Sequence, residues 1–137
     1  MSSEKDNWFI EHFDSAGTAF GLRLKRKLES VQTDYQHIEM WDTDTFGYLM
    51  TIDGATMLTT RDNFLYHEMM AHPALFSHAA PRNVLIIGGG DCGTLREVLR
   101  HGEVASAVQI DIDEQVTRFS EHYFPELVES KRTGGAE

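Results

Sequence analysis

The chain has 137 residues, a length that suits one ordinary domain or two small ones. Its 12 basic and 22 acidic residues give a net charge of −10, which argues against nucleic acids and anionic membranes as binding partners. A single cysteine, Cys92, excludes an internal disulfide framework, and no stretch approaches the ~20 apolar residues of a membrane span. The composition therefore predicts a soluble, cytoplasmic protein.

The first part of the chain carries strand patterns. An edge element, a strand that alternates apolar and polar positions, and three shorter strands are predicted at residues 6–14, 19–28, 35–41, 46–52 and 55–59. The Asp53-Gly54 pair between the last two strands is a strong signal for a hairpin turn. We therefore expect residues 1–60 to form a small antiparallel β-meander domain.

The pattern changes to α/β from residue 61 onward. Residues 63–76 predict a helix, which Pro73 is expected to kink or end. A parallel strand, a crossover helix, a second parallel strand and a second helix are then predicted at residues 84–87, 94–101, 107–112 and 114–124. Residues 61–137 therefore predict a Rossmann-like, methyltransferase-type parallel sheet.

This parallel sheet is expected to be incomplete. Parallel sheets are normally buried on both faces, and the two helices available cannot cover both faces of two strands. The tail, residues 131–137, has no apolar content and no periodic pattern. We interpret the sequence as a complete small β domain followed by a truncated nucleoside-binding domain.

Three glycines follow the first parallel strand. Gly88, Gly90 and Gly93 satisfy G-x-G-x-x-G, the dinucleotide-binding fingerprint. Asp91 lies inside this motif, where its carboxylate would repel a pyrophosphate bound to the backbone N–H groups of the turn and helix. The turn therefore favours a nucleoside without phosphates, or a ligand that carries positive charge. The alternative role for Asp91 is to cap the helix at Thr94.

Two acids, Asp111 and Asp113, stand at the end of the second parallel strand. In nucleoside-binding α/β folds, an acid about 20 residues beyond the glycines accepts hydrogen bonds from the ribose hydroxyls. We expect one of the two acids to do this, and Asp111 is nearer to the strand. The alternative for either residue is a solvated acid that caps the following helix.

His67 and Cys92 are the remaining candidates for chemistry. The string YHEMMAH is not a zinc-protease motif, because His67 and His72 would point about 140° apart on a helix. We therefore predict no metal site, and interpret His67 as a buried, hydrogen-bonded histidine. A helix start could lower the pKa of Cys92, but we favour a small residue packed in the turn over a nucleophile.

Three motifs found together resemble the spermidine synthases, or polyamine aminopropyltransferases. They are TIDGATMLTTRDNFLYHEMM, VLIIGGGDCGTLREVLRH and the strand end that contains Asp111. The resemblance runs over residues 35–127. It implies an enzyme of polyamine biosynthesis that transfers an aminopropyl group from decarboxylated S-adenosylmethionine to putrescine, giving spermidine and methylthioadenosine. The donor is then a co-substrate, and no cofactor is expected.

The resemblance also implies roles for individual residues. Gln36 matches a position that contacts the donor nucleoside, and Asp111 matches the acid that holds its ribose hydroxyls. Tyr66 and His67 match positions that line the diamine channel. Asp91 matches the acid between the amine groups of donor and acceptor. The turn around the nucleoside is formed by Gly88, Gly89 and Gly90.

The chain departs from the family pattern at several points. Cys92 stands where the family mostly has glycine, which is tolerable at an ordinary backbone angle and strained in a left-handed one. Met57 stands where the family usually has glutamine. The general-base aspartate of the family is expected beyond residue 137, so this chain is expected to be inactive alone. A homodimer or homotetramer is expected of the full-length enzyme.

Three alternatives stay open from the sequence. The first is a methyltransferase that uses S-adenosylmethionine, because it would share the nucleoside-binding half. The second is a non-catalytic remnant that binds a full-length homologue. The third is a dehydrogenase, which Asp91 disfavours because a dinucleotide carries a pyrophosphate.

Overall fold

The computed structural model describes residues 7–129, and the predicted patternless tail lies outside the described residues. The chain divides into two compact units, Met1–Asn63 and Phe64–Glu137. The domain boundary predicted between residues 60 and 61 stays a prediction. Within residues 7–129, no helix is both long enough and apolar enough to cross a membrane.

The first unit is a five-stranded antiparallel sheet in the order β1-β2-β3-β4-β5. Its strands are β1 (Trp8–Phe13), β2 (Thr18–Gln32), β3 (His37–Thr43), β4 (Tyr48–Ile52) and β5 (Ala55–Thr59). Asp53 and Gly54 both have positive φ angles, of 50° and 79°, as the predicted hairpin turn requires. The predicted meander is confirmed.

The strand β2 is longer than the sequence predicts because it pairs with two neighbours in succession. Residues 18–23 pair with β1, and residues 24–32 pair with β3, with register shifts near Arg26 and Lys27. Such irregularities bend a strand and increase its twist. The bend lets Leu22, Leu24 and Leu49 form a small buried core.

The second unit contains a two-stranded parallel sheet with helices. Its elements are α1 (Asn63–Ser77), β6 (Asn83–Ile87), α2 (Gly93–Val98), β7 (Ser106–Ile110), α3 (Glu114–Tyr123) and α4 (Pro125–Val128). The two strands pair in register from Asn83 with Ser106 to Ile87 with Ile110. The predicted fold class, an antiparallel β unit followed by a Rossmann-like α/β unit, is confirmed.

Two predictions about helix ends differ from the structure, and a third helix end is as predicted but is followed by an additional helix. Pro73 lies inside α1 and does not end it, because Ala71 and Leu75 bury their side chains in the core on either side of the proline. The helix α2 ends at Val98 and not at residue 101, since the next two turns close on carbonyls three residues back. Pro125 follows α3 as expected but also begins α4, where its missing N–H carries no cost.

The two faces of the parallel sheet are unequally covered. Ala71, Leu75 and Val98 pack on one face, against Val84, Ile86, Val104 and Ala107. Leu85, Ile87, Val108 and Ile110 point to the other face, because neighbouring side chains on a strand alternate. Among the described residues, these four side chains remain 51–85% exposed. One face of the two-stranded sheet is therefore exposed among the described residues, and the incompleteness of the sheet stays a prediction.

Candidate functional site

The glycine turn joins β6 to α2 at the carboxyl end of the parallel sheet. Gly88 and Gly89 have φ angles of 84° and 69°, a left-handed conformation that glycine adopts without steric cost. The backbone N–H of Gly88 donates to Ile110 O at 2.7 Å. Thr117 Oγ1 of α3 donates to Gly90 O at 2.7 Å. These bonds fix the turn against the end of β7 and against α3.

Asp91 is a buried acid at the start of α2, with 9% of its surface exposed. Its Oδ1 accepts a hydrogen bond of 2.7 Å from the backbone N–H of Gly93, the first residue of the helix. The carboxylate therefore satisfies one free N–H at the helix start, as the capping alternative predicts. Capping uses one oxygen, so it does not exclude a role in holding a cation.

His67 of α1 lies against Asp91. Its side chain is fully buried, and Nε2 is 3.1 Å from Asp91 Oδ1. Among residues 7–129, neither ring nitrogen has an aligned hydrogen-bond partner. The prediction of a buried histidine is correct, but the prediction that it is hydrogen-bonded is wrong. An unsatisfied buried polar group costs about 1–3 kcal/mol, so the burial of this ring lowers the free energy of unfolding.

Gly93 provides the space that the His67 ring occupies. A Cβ atom at Gly93 would overlap ring atoms Cε1, Nδ1 and Nε2. The ring is rigidly enclosed and cannot move aside at low cost, so only glycine fits at this position. The third glycine of the G-x-G-x-x-G motif therefore serves close packing between α1 and α2.

Tyr66 precedes His67 on α1 and is 56% exposed. The two rings meet edge to face, with centroids 5.7 Å apart. Neighbouring helical side chains point about 100° apart, so one of the pair can face solvent while the other is enclosed. Of the two residues expected to line a diamine channel, Tyr66 is the one with free surface.

Asp111 directly follows β7 and ties the glycine turn to the next loop. Its Oδ2 accepts from Gly90 N at 2.8 Å, and its Oδ1 accepts from Asp113 N at 2.9 Å. A carboxylate offers about four acceptor positions, so these bonds leave capacity for ribose hydroxyls. Asp113 is buried and caps α3 by accepting from Gln115 N at 3.0 Å. Asp113 therefore takes the predicted capping role, while ribose binding by Asp111 stays a prediction.

Cys92 has a φ angle of 66°, so it adopts the strained left-handed conformation. Burial raises the pKa of the thiol; a hydrogen bond from Gln109 acts the other way, and the charge of Asp91 raises it further. The expectation that a helix start could lower this pKa is therefore wrong. A thiol with a raised pKa stays protonated near neutral pH, which fits the preferred interpretation of a packed residue.

Gln36 and Met57 belong to the first unit. The backbone N–H of Gln36 donates to Thr33 Oγ1 at 3.1 Å, and its carbonyl accepts from Thr33 N at 3.0 Å. This turn leads into β3. Met57 lies in β5 and is 40% exposed. The role of Gln36 in binding a donor nucleoside stays a prediction.

Sequence reasoning missed a second buried acid, Glu97 of α2, which is 1% exposed. Arg96 Nη2 lies 3.0 Å from its Oε1, and Arg100 Nη1 and His72 Nε2 lie 2.7 and 3.3 Å from its Oε2. Burial by itself would raise the pKa of Glu97, but the hydrogen bonds and charges of the arginines outweigh burial and lower the pKa. The signal in the sequence that could have predicted this network is the close spacing of Arg96, Glu97 and Arg100.

This network includes groups that metals can bind. Ligand-type atoms of Glu68, His72 and Glu97 lie within 4.8 Å of one another. Both oxygens of Glu97 are already held by arginines, whose positive charges oppose a cation at the same place. The cluster therefore has the character of an ion-pair network, and the expectation of no metal site stays a prediction.

Two protein-family models match this chain, one over its β-sheet part and one over its α/β part. A family model described as the spermine/spermidine synthase domain matches residues 63–134, more than half of the chain. The chain belongs to this family. A model described as the spermidine synthase tetramerisation domain matches residues 7–60.

Relatives and solved structures agree with this assignment to the spermine/spermidine synthase family. Polyamine aminopropyltransferases from Xanthomonas campestris pv. campestris (strain B100) and Xanthomonas axonopodis pv. citri (strain 306) are 63% and 62% identical over 135 residues. These matches cover 98% of this chain and 47% of each relative, so the chain spans about half the length of the curated relatives.

Two spermidine synthase crystal structures are similar to this chain. One is in complex with the transition-state analogue AdoDATO, and the other is from Thermotoga maritima; each has a TM-score of 0.83 at 35% identity. They match over 96% of this chain and over 46% and 47% of their own lengths. The resemblance predicted from the sequence motifs is confirmed, while the predicted roles of the site residues stay predictions.

Proposed function

We propose that this chain serves aminopropyl transfer from decarboxylated S-adenosylmethionine to putrescine, giving spermidine and methylthioadenosine. The observation that carries the proposal is Asp91, a buried carboxylate in the glycine turn. Among the described residues, it accepts one backbone N–H bond and lies against the unaligned ring of His67. A negative charge there disfavours a pyrophosphate and favours an amine cation.

The chemistry needs such a charge. Both ligands are cationic, because the donor carries a sulfonium and the amines of putrescine have a pKa close to that of lysine, about 10.4. A neutral amine of putrescine attacks the carbon next to the sulfonium sulfur. The carbon–sulfur bond breaks, methylthioadenosine leaves as a neutral thioether, and the amine loses one proton to a base. The resemblance assigns that base to none of residues 1–137.

The remaining residues are proposed to bind and orient the two ligands. Asp111 holds the ribose hydroxyls with its free acceptor positions, beside the glycine turn that it already fixes. Tyr66 lines the diamine with its exposed ring, and Gln36 contacts the donor nucleoside. The donor is a co-substrate, and no cofactor or metal is invoked.

Assembly and location follow from the same proposal. A sheet that matches a tetramerisation domain supports a homodimer or homotetramer. Light scattering coupled to size-exclusion chromatography measures the oligomer directly, and a monomer at micromolar concentration would contradict this part. A cytoplasmic location is proposed from the single cysteine, which fits a reducing compartment.

Calorimetric titration tests the proposed function. We expect the protein to bind decarboxylated S-adenosylmethionine at least about tenfold more tightly than S-adenosylmethionine, because Asp91 repels the extra carboxylate of the latter. Asp91→Asn should abolish most of this preference, whereas Asp111→Asn should weaken both nucleosides alike. Tighter binding of S-adenosylmethionine would favour a methyltransferase and refute the proposal.

A further inference from the structure

We propose that Thr117 of α3 is a positioning residue for the donor nucleoside, because it fixes Gly90 and, through Gly90, the carboxylate of Asp111. The inference rests on the proposed function and concerns a residue that lies outside the three sequence motifs. Thr117 Oγ1 donates to Gly90 O at 2.7 Å, across 27 positions in the chain. This bond joins α3 directly to the turn that the donor is proposed to occupy.

Gly90 is held at both of its backbone polar groups. Its N–H donates to Asp111 Oδ2 at 2.8 Å, and its carbonyl accepts from Thr117. The residue is buried, and a Cβ atom there would lie 2.9 Å from Asp111 Oδ2 and 3.3 Å from Val116 Cβ. Gly90 therefore fits closely between the end of β7 and the first turn of α3, so a shift of its carbonyl would also move its N–H.

The carboxylate of Asp111 depends on this placement for its direction. Its Oδ2 is held by the N–H of Gly90, and its Oδ1 by the N–H of Asp113 at 2.9 Å. Asp113 caps α3, the same helix that carries Thr117. The turn, the strand end and the helix are thus tied into one closed set of hydrogen bonds. A carboxylate fixed in this way presents its remaining acceptor positions in one direction, as ordered binding of ribose hydroxyls requires.

A second hydroxyl of α3 shows that the bond of Thr117 is not the usual one for a helix. Serine and threonine in helices often donate to the carbonyl four residues earlier. Ser120 does so, with Oγ 2.9 Å from Val116 O. Thr117 donates instead to a residue of the glycine turn. The hydroxyl of Ser120 therefore serves its own helix, while the hydroxyl of Thr117 serves a tertiary contact beside the proposed ribose site.

Calorimetric titration with methylthioadenosine tests the role in donor binding. Thr117→Val keeps the shape of the side chain and removes the donor, so we expect roughly five- to tenfold weaker binding. Thr117→Ser keeps the hydroxyl and should stay within about twofold of the wild type. Ser120→Ala is the matched control and should leave the affinity unchanged. Wild-type affinity in Thr117→Val would overturn the proposal. Thr117→Ala also lacks the hydroxyl and replaces the valine variant if that variant does not fold.

A double-mutant cycle separates positioning from direct contact with the nucleoside. In the Asp111→Asn background, Thr117→Val should weaken methylthioadenosine less than about twofold, because the group through which it acts is already altered. Putrescine affinity, measured with methylthioadenosine at saturation, should not change in Thr117→Val, since the diamine is proposed to contact other residues. An equal loss of methylthioadenosine affinity in both backgrounds would show that Thr117 does not act through Asp111 and would refute the proposal.

Amide hydrogen exchange, followed by NMR without any ligand, tests the contact itself. Exchange of the Gly90 N–H should be at least about tenfold faster in Thr117→Val than in the wild type, and unchanged in Ser120→Ala. No acceleration in Thr117→Val would show that Gly90 is held without Thr117 and would overturn the proposal. If the wild-type protein binds no methylthioadenosine, the proposed function fails and the donor role of Thr117 fails with it. Hydrogen exchange still decides in that case whether Thr117 holds the turn.

Discussion

Two histidines of α1, His67 and His72, each face a buried carboxylate, but the two pairs are built differently. His72 faces Glu97, whose carboxylate oxygens also form ion pairs with Arg96 and Arg100. His67 faces Asp91, which receives one backbone N–H and no arginine among the described residues. The charge of Glu97 is neutralised by its own network, while Asp91 keeps one oxygen that has no hydrogen-bond partner within residues 7–129.

This difference separates an acid that contributes to stability, Glu97, from an acid that is available to bind a ligand, Asp91. A buried charge with full compensation holds elements together, and its pKa is shifted in favour of the charged form. A buried charge with little compensation costs stability and gains from a cation supplied by a ligand. Substitutions at the two pairs should therefore affect stability and binding in opposite proportions.

The largest effect is expected at the seat of the His67 ring. Gly93→Ala places a methyl group inside the imidazole and should lower the free energy of unfolding by about 3 kcal/mol or more, or prevent folding. Gly102→Ala is the matched control, because a Cβ at Gly102 meets nothing within 4 Å. Thermal denaturation compares the two. A fully stable Gly93→Ala variant would mean that the ring has an alternative position.

Removing the compensated charge should come next. Glu97→Gln leaves Arg96 and Arg100 facing a neutral amide and should cost about 1–3 kcal/mol at pH 7. Glu114→Gln breaks an exposed pair with Arg118 and should cost less than about 0.5 kcal/mol. Urea denaturation measures both. Equal costs would show that the buried network contributes no more than a surface pair.

The same network predicts how stability depends on pH. Folding lowers the pKa of Glu97 below its unfolded value of 4.5, so its contribution is fully present above pH 4.5. That contribution is lost as the pH falls through the lowered folded value. The gap in unfolding free energy between the wild type and Glu97→Gln should therefore close in acid. A gap that stays constant below pH 4.5 would contradict the proposed compensation.

Asp91→Asn should reverse the pattern of Glu97→Gln. The amide oxygen still accepts from Gly93 N–H, and a poorly compensated charge disappears, so stability should change by less than about 1 kcal/mol. Putrescine affinity should fall roughly tenfold to a hundredfold, because a charged hydrogen bond is lost. Calorimetry and thermal denaturation on one preparation give both numbers. A large loss of stability with unchanged affinity would place Asp91 with Glu97 as a structural acid.

The smallest effect is expected at Cys92. Cys92→Gly relieves a left-handed backbone but loses contacts of the sulfur and increases the freedom of the unfolded chain, so a gain of about 0–1 kcal/mol is expected. Cys92→Ala is the control, because it removes the sulfur and keeps the strained Cβ. If glycine proves more than about 1 kcal/mol less stable, packing of the sulfur outweighs the strain.

Local patterns predicted the fold well wherever a signal acts at short range. Alternating side chains and the Asp53-Gly54 turn specified the meander, and the apolar run before Gly88 specified the first parallel strand. A helix end at Pro73 was one of the two predicted outcomes and is wrong, because the burial of Ala71 and Leu75 holds α1 together on both sides of the proline. Local propensity was outweighed there by packing against the sheet.

The sequence by itself determined which acids stand at strand ends and that one of them, Asp91, lies inside the glycine turn. It also determined the family, because the motifs are contiguous strings. Only the tertiary structure decided that Glu97 is neutralised, that Asp91 is not, and that the His67 ring rests on Gly93. Compensation of a buried charge depends on side chains that packing brings together. The histidine that α1 places against each acid lies about 25 residues earlier in the chain, so a local sequence pattern does not reveal the contact.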